Sequence, residues 1–510
     1  MDLLDAAAVR AWAATARSAL DEAADRIDAV NVFPVADSDT GTNVLLTVVG
    51  GLEAVERVPL GAPVTEVARA FARGALIAAR GNSGVIVSQY LTGFARALPD
   101  GAGAPEVARC LDVAARAARE ATAEPQEGTV LTLADVVAAT ARTAADAGAD
   151  LPTTLAEAVA EALRSLGRIS GLHPTLRAAR VLDAGACALV VVLDALARAV
   201  DDERPARVPL DWLPTTSAQH ASVEATGGAF EVMLLVSDDG SAAPDGPRID
   251  TGAELRSRMG SLGDSVAVVG GDGWWHVHVH TDDPAAAIAR ARLGRREQVL
   301  VRLLAGAHAG GSALPGRVGS ERWGVVVCTA APDLAGWYAS SGAVVVVRCP
   351  EAPVRTEHLA RAVTDTGATH VVLLPGSGVE RDEAVLLQPP GVVVDVLDAC
   401  DEMRACVGSL ALAGAGPTSL GCSAAQAALA RLDVRTIDVA APQSVTDAVE
   451  TLLRSPRATA GESLTVLLQD TAHDGIVDGI VAHLAAHHPG VEATVVGPTG
   501  HGPALVLGLD

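Results

Sequence analysis

The residues best suited to chemistry lie in one polar segment that follows a long apolar helical pattern. It reads N-V-F-P-V-A-D-S-D-T-G-T-N from Asn31 to Asn43. Pro34 ends helical geometry, so Asp37 and Asp39 are expected on a loop, two residues apart and able to point to the same side. Two carboxylates with the amide oxygen of Asn31 form a hard-oxygen set that suits Mg²⁺. The alternative is that these residues only form a turn and a helix N-cap.

The residues after this loop predict an anion site beside the metal site. Thr40, Thr42 and Asn43 lead into a helical pattern whose free backbone amides would face a bound phosphate. Two further helix starts carry the same small and hydroxyl-bearing residues: R-G-N-S-G at 80–84 and E-G-T-V-L-T at 127–132. Each of them alone is typical of a cap. Three such starts together with an acidic loop favour a metal–nucleotide site.

The chain contains no lysine, so all 38 basic residues are arginine. This excludes P-loop NTPases and protein kinases, which hold phosphate with a lysine, and enzymes that form a lysine Schiff base. A formal net charge of −24 argues against a nucleic-acid partner. The sequence has no long uncharged apolar run, so we expect no stable membrane insertion. The seven cysteines are scattered and form no C-x-x-C motif, so we expect reduced, mostly buried thiols in a cytoplasmic protein.

The elements that must position these residues change in type along the chain. Residues 1–203 alternate long Ala/Leu/Val helical stripes with short glycine joints, which predicts an all-α domain. After a polar linker from Asp201 to Gly228, residues 225–304 combine short strand-like runs with a helix, typical of a small α+β domain. A glycine-rich joint, Ala305–Gly319, precedes residues 320–510. There β-branched runs alternate with helical patterns, which predicts an α/β domain.

These segments carry motifs that resemble a known family. N-V-F-P-V-x-D-x-D-T-G-T-N at 31–43, A-R-G-N-S-G-V-I-x-S-Q at 79–89, E-G-T-x-L-T at 127–132 and D-A-G at 183–185 resemble one ATP-binding domain. It is the DhaL (DAK2) domain that the dihydroxyacetone kinase L subunit shares with bacterial fatty acid kinase. L-G-D-S at 262–265 and V-H-V-H-T at 277–281 resemble the middle domain of fatty acid kinase. The resemblance therefore runs through the domains in order.

The resemblance implies a DhaL-type eight-helix barrel, a DegV-like C-terminal domain and transfer of the γ-phosphoryl group of ATP to a fatty acid carboxylate, giving an acyl phosphate. A separate fatty-acid-binding DegV-type protein would present that acid. By position, Mg²⁺ would be held by Asp37 and Asp39, with Asn31 beside them, and Thr40 would join the two aspartates as a catalytic residue. The other residues implied to bind ATP are Thr42, Asn43, Gly81, Asn82, Ser83, Thr129 and Asp183.

Three histidines of the middle segment form a separate candidate site. His276, His278 and His280 alternate along a predicted strand and so share one face. His278 and His280 match the relatives' H-V-H-T, where two imidazoles and a cysteine thiolate would suit zinc. The corresponding residues 228–231 read G-A-F-E here and lack that cysteine. Zinc binding at His278 and His280 and a merely polar strand face are the two alternatives.

Two other functions stay open at this stage. A dihydroxyacetone-kinase-like phosphotransferase would act on a small hydroxylated substrate, although the K-subunit domain that holds such a substrate is not found in this sequence. An ATP-binding regulatory or scaffold protein would bind nucleotide without turnover. The sequence also leaves room for a homodimer.

Overall fold

The computed structural model describes most of the chain. The described residues are 3–33, 39–122, 124–201, 207–214, 228–238, 250–271, 273–304, 322–389, 391–438, 442–455, 463–470 and 474–510. Asp37 lies outside them, as do the predicted joint Ala305–Gly319 and most of the predicted linker Asp201–Gly228.

A helical first part is followed by sheet-containing regions, as the sequence pattern predicts. The helices are α1 Ala6–Asp28, α2 Thr40–Glu56, α3 Val64–Ala78, α4 Gly81–Ala97, α5 Ala104–Ala121, α6 Val130–Asp146, α7 Leu151–Ser170, α8 Pro174–Ala179, α9 Ala184–Ala199, α10 Thr251–Gly260, α11 Pro284–Arg290, α12 Ala335–Ser340, α13 Thr356–Asp365, α14 Arg381–Val385, α15 Glu402–Ala415, α16 Ser419–Arg431, α17 Pro442–Leu453 and α18 Asp474–His487. The strands are β1 Phe230–Ser237, β2 Gly263–Gly271, β3 Trp274–Thr281, β4 Arg295–Leu303, β5 Trp323–Thr329, β6 Val344–Val347, β7 His370–Leu374, β8 Val393–Val396, β9 Asp433–Ile437, β10 Ser463–Leu468, β11 Glu492–Val496 and β12 Leu505–Leu509. Within the described ranges, no helix is both long and apolar enough to cross a membrane.

The chain divides into two compact units. Unit 1 is made of Met1–Gly227, Pro244–Val279 and Ala305–Ala307. Unit 2 is made of Gly228–Ala243, His280–Leu304 and His308–Asp510. The three domains expected at 1–203, 225–304 and 320–510 stay a prediction.

Helix α9 forms the centre of the helical part of unit 1. Thirteen of its 16 residues are buried, because its sequence is apolar on all sides. Trp12 of α1 donates a hydrogen bond from its indole nitrogen to the carbonyl oxygen of Val192, at 2.9 Å. The same indole packs edge-on against Phe71 and Phe94, with ring centroids 5.2 and 5.3 Å away. These contacts fix α1, α3 and α4 around α9.

Strand β2 packs against the helical part of the same unit. Ala267 and Val269 of β2 share a buried cluster with Val85 of α4 and Ala121 of α5. Thr122, directly after α5, forms an antiparallel bridge with Ala267. The residues at the start of β2 are thereby brought next to the beginning of α4.

Unit 2 contains two sheets built from buried, valine-rich strands. In the first, β1 and β4 are antiparallel, β4 and β6 are antiparallel, and β6, β5, β7 and β8 run parallel in that order. The second sheet has the order β11-β10-β12-β9, with β10 and β11 parallel and the other pairs antiparallel. Helices α17 and α18 share one buried cluster with β10 and β12 of this sheet.

Candidate functional site

A cavity of about 620 Å³ in unit 1 lies where several helices begin. Its lining includes Asn82 and Ser83 at the start of α4, Thr129 at the N-cap of α6, and Asp183 at the N-cap of α9. The first amides of a helix have no intrahelical acceptor, so helix starts are well suited to anionic groups. Four of the residues predicted from the sequence therefore line one cavity, although they come from three separate segments.

The start of α4 carries the most direct sign of a ligand. The side-chain oxygen Oδ1 of Asn82 is buried and has no hydrogen-bond partner among the described residues. A buried acceptor without a partner costs roughly 1–3 kcal/mol, which a donor or a cation from a ligand would offset. The neighbouring hydroxyls of Ser83 and Thr40 lie 3.2 Å apart and join the start of α4 to that of α2.

Gly81, the first residue of α4, lies in close contact with the side chain of Asn43. Gly81 has a φ of +52°, and a Cβ atom built on it would lie 2.4 Å from Nδ2 of Asn43. Glycine adopts this left-handed conformation without steric penalty, whereas other residues do not. The structure thus brings these two predicted residues together, although neither is part of the cavity lining.

Asp183 is the most deeply buried acid of the cavity. Its Oδ1 accepts a hydrogen bond from the backbone amide of Ala186 at 2.7 Å, and its own amide donates to the hydroxyl of Ser170 at 2.9 Å. Burial raises the pKa of the Asp183 carboxyl from 3.8 to about 6. The carboxylate is therefore costly to keep ionised, and a cation or donor from a ligand would stabilise it.

The start of α2 is capped by an acid that the sequence reasoning missed. Asp28, the last residue of α1, accepts from the amide of Gly41 at 2.5 Å and from the hydroxyl of Thr42 at 2.7 Å. Asp39 occupies the N-cap position itself but makes no side-chain capping bond. A signal was present, because an acid in the last turn of a helix opposes the helix dipole and so suggests another task.

Negative charge accumulates at this start. Burial raises the pKa of Asp28 to about 6, the hydrogen bonds from Thr42 and Gly41 lower it, and the charge of Asp39 raises it again. Among the described residues, the groups found to lower this pKa are the neutral donors Thr42 and Gly41. Of the predicted magnesium ligands, Asn31 is buried and donates its backbone amide to the carbonyl oxygen of Asp28 at 3.1 Å, and Asp39 is half-buried.

The sequence reasoning also missed an aromatic pair in the cavity lining. The rings of Phe33 and His173 have centroids 4.0 Å apart, and both residues line the cavity. Burial lowers the pKa of His173, and the charge of Arg177 lowers it further. Only the H-P dipeptide before a short helix hinted at this position.

Asp264 and Ser265 complete the lining from outside the helices. They belong to the L-G-D-S motif, whose similarity to a middle domain pointed away from the nucleotide site. Strand β2 brings them to the cavity through its packing on α4 and α5. Their motif could be found in the sequence, but this contact could not.

The charge of the lining restricts what holds an anionic ligand. Among the described residues, the lining includes the carboxyl groups of Glu124, Asp183 and Asp264 and no arginine, and the chain has no lysine. A triphosphate would be repelled by three carboxylates unless a metal ion and backbone amides compensated its charge. The cavity thus suits a metal-bound phosphate better than a free one.

The predicted zinc residues are not among the residues that line this cavity. His278 and His280 are buried at alternate positions of β3, with His276 on the same face. Glu231 of β1, within the segment 228–231 that lacks the expected cysteine, is buried and forms an ion pair with Arg302. Zinc binding at His278 and His280 stays a prediction.

Unit 2 holds a smaller cavity of about 190 Å³ beside the half-buried carboxylate of Glu402. Glu402 accepts hydrogen bonds from the hydroxyls of Thr329 at 2.9 Å, Tyr338 at 2.7 Å and Ser377. Burial raises the pKa of Glu402, while these hydroxyls lower it. Because all three donors come from distant segments, no local pattern indicates this network.

The comparisons with known proteins identify two domains. Residues 34–198 match the DAK2 domain, and residues 228–309 match the FakA-like middle domain, which is named after fatty acid kinase. The crystal structure of the dihydroxyacetone kinase of C. freundii in its native form matches 37% of this chain and 34% of its own, at 18% identity and a TM-score of 0.29.

Curated relatives match a large part of this chain. Protein YloV of Bacillus subtilis (strain 168) is 28% identical over an alignment of 383 residues that covers 70% of this chain and 67% of that protein. An uncharacterized protein of Staphylococcus epidermidis (strain ATCC 12228) is 32% identical over an alignment of 276 residues that covers 52% of this chain and 49% of its own. The chain thus spans about half the length of the staphylococcal relative. The resemblance seen in the motifs is confirmed: the chain carries a DAK2 domain followed by a FakA-like middle domain, both of kinase-related proteins.

Proposed function

We propose that this protein is an ATP-dependent kinase subunit that transfers the γ-phosphoryl group of Mg-ATP to a fatty acid carboxylate. A separate fatty-acid-binding protein would present the acid, and the product would be an acyl phosphate. The observation that carries the proposal is the cavity of unit 1, whose described lining has three helix starts and no basic side chain other than His173. The matches to the DAK2 domain and to the middle domain support the same function.

The residues around the start of α2 fit a magnesium ion. Asp28 and Asp39 place two carboxyl groups there, and neutral donors rather than a basic side chain lower the pKa of Asp28. Asp39 and Asn31 would hold Mg²⁺, together with Asp37, which lies outside the described residues. Bound there, Mg²⁺ would neutralise charge on the phosphate oxygens.

The chain's own residues would orient the nucleotide. The amides at the starts of α2 and α4, with the hydroxyls of Thr40 and Ser83, would bind phosphate oxygens. Asn82 would place its amide group against the same ligand. The acceptor carboxylate is ionised at neutral pH, so its oxygen can attack the γ-phosphorus directly and ADP leaves. No general base is then required from the protein.

The sheets of unit 2 agree with a DegV-like C-terminal domain. Parallel strands alternate with helices in the first sheet, and a second, smaller sheet follows it in the chain. We propose that this region docks the protein that carries the fatty acid.

The first test is Mg-ATP binding by the full chain, measured by calorimetry. We expect Asp39→Asn and Asn82→Ala each to lower the affinity at least tenfold, because the first removes the negative charge of a metal ligand and the second removes a ligand-facing amide. Asp150→Asn is the matched control, since Asp150 caps α7 outside the cavity lining and asparagine caps equally well. Unchanged affinity in both site variants would refute the nucleotide site.

The second test identifies the acceptor. Protein, Mg-ATP and a co-purifying fatty-acid-binding protein loaded with palmitate are mixed, and acyl phosphate is trapped with hydroxylamine as a hydroxamate. Hydroxamate formation that depends on both proteins is expected. Formation of glycerone phosphate from dihydroxyacetone would indicate the small-substrate kinase instead. Nucleotide binding without any phosphorylated acceptor would indicate a regulatory or scaffold protein.

A further inference from the structure

Two histidines and a glutamate meet on the surface of unit 2, and none of them lines either cavity. Nε2 of His483 lies 2.9 Å and Nε2 of His488 lies 2.8 Å from the same oxygen, Oε1 of Glu450. One ligand atom from each of the three residues lies within 4.8 Å of the other two. Their side chains are 20–31% exposed, so a hydrated ion can reach them from solvent.

The fold holds these three side chains in place from both helices. Glu450 belongs to α17, His483 to α18 and His488 follows α18 directly. Both helices are fixed by the buried cluster that they share with β10 and β12. The second carboxylate oxygen, Oε2 of Glu450, accepts from Arg454 at 2.7 Å, which leaves Oε1 directed at the imidazoles.

This donor set has the chemistry of a transition-metal site. Imidazole nitrogen binds Zn²⁺, Ni²⁺ and Cu²⁺ well, and two histidines with one carboxylate are a known zinc ligand set. Around a tetrahedral zinc ion with bonds of about 2.0–2.1 Å, ligand atoms are roughly 3.3 Å apart. The two observed histidine–glutamate distances, 2.9 and 2.8 Å, are close to that spacing, and all three ligand atoms lie within 4.8 Å of one another.

We propose that Glu450, His483 and His488 form a binding site for a divalent transition-metal ion, with Zn²⁺ as the expected ion and water in the open position. The bound ion would link α17 to α18 and replace the direct histidine–glutamate contacts. This inference does not depend on the proposed kinase function, because none of its residues lines either cavity.

Zinc binding is tested on the full-length protein after treatment with EDTA. Zn²⁺ is titrated by calorimetry into the wild type and into the double variant His483→Gln/His488→Gln. Glutamine still reaches Glu450 with an N–H donor, so the helix pair keeps its contacts, but an amide is a poor zinc ligand. We expect the double variant to bind one equivalent of Zn²⁺ fewer than the wild type. Counting the difference also separates this site from zinc bound at His278 and His280.

Two further variants sharpen the result. Glu450→Gln should lower the affinity of this site for Zn²⁺ at least tenfold. His487→Ala is the matched control, because His487 is exposed on the same helix and stacks on His483 but lies outside the three-residue group. The His487→Ala variant should bind the same number of zinc equivalents as the wild type, with little change in affinity. Circular dichroism checks that each variant is folded. An equal zinc stoichiometry and affinity in wild type and double variant would overturn the proposal and leave an ion-paired contact between helices.

Discussion

Asp183 has two tasks that conflict at neutral pH. As the N-cap of α9 it accepts a backbone hydrogen bond, and as a cavity residue it presents a carboxylate in a buried place. Burial raises its pKa from 3.8 to about 6. Because the unfolded chain releases this proton near pH 4 and the folded chain near pH 6, ionisation opposes folding. Its contribution to stability is therefore complete below about pH 4 and is lost as the pH rises through 6.

The variant Asp183→Asn removes this titration and keeps a capping oxygen. Without Mg²⁺ and nucleotide, its free energy of unfolding should exceed that of the wild type by about 2–3 kcal/mol at pH 7.5, as a pKa shift of about two units implies. The advantage should disappear near pH 4. Urea unfolding at several pH values measures both curves. Other titrating acids, such as Asp28, are present in both proteins, so their effects cancel in the difference between wild type and variant. If the two free energies of unfolding differed by the same amount at every pH, the raised pKa of Asp183 would be contradicted.

The candidate site could be predicted from the sequence only where its residues form local motifs. Asn82, Ser83 and Thr129 stand next to glycines before helical patterns, and all three line the cavity. Asp28 and His173 could not be placed in the same way. Asp28 acts on a helix 13 residues further along the chain, and His173 meets Phe33 across 140 residues. Such contacts depend on how the helices pack, and the spacing of residue types in the sequence does not reveal this packing.

At the scale of elements, the beginning of α4 depends on one glycine. Gly81 combines a left-handed backbone with a close approach to Asn43, so a side chain is excluded twice. Gly101 has a similar φ of +71° but faces open space. The two positions together separate backbone strain from steric contact.

Gly81→Ala should destabilise the protein by more than the roughly 1–2 kcal/mol that a left-handed alanine costs, because Asn43 must also move. It should lower Mg-ATP affinity as well, since the start of α4 shifts with it. Gly101→Ala should show the backbone cost alone and keep nucleotide affinity. Thermal unfolding and calorimetry on both variants check this. Equal effects of the two substitutions on affinity would show that the contact with Asn43 is unimportant.

Element types were predictable where the apolar pattern was continuous, but element ends were not. The apolar run Val232–Val236 predicts a strand, and β1 extends from Phe230 to Ser237. The extra residues pair with β4, where Phe230 lies opposite Leu303 and Ser237 opposite Arg295. Strand length is thus decided by the partner strand, whose paired residues lie 58 (295 − 237) to 73 (303 − 230) positions further along the sequence.

Across the whole molecule, the seven cysteines report on packing. All are free thiols, six are buried, and Cys400 is exposed. We expect Ellman's reagent to label one thiol in the native protein and seven in denaturant. Partial burial and the neighbouring Asp398 raise the pKa of Cys400, so even this thiol should react slowly near neutral pH. Cys400→Ser should leave no thiol that reacts before unfolding. A second thiol that reacts in the native protein would contradict the described core.

The order of helical and sheet-containing regions follows from hydrophobic period, and the structure confirms it. The sequence assigns L-G-D-S to a middle segment, whereas Asp264 and Ser265 line the cavity of unit 1. The reason is the packing of β2 on α4 and α5, between residues more than 140 positions apart. Composition and period cannot supply contacts at such separations.

The enclosure of α9 sets a limit on how unit 1 can respond to a ligand. Because α9 is buried on nearly every side, it cannot slide or tilt without disturbing all the helices packed around it. Asp183 at its tip is therefore a fixed reference point, and any adjustment on binding falls to the more accessible tips, such as Thr42 and Ser83. Substitutions of buried residues in the middle of α9 would then change ligand affinity, although these residues contact no ligand.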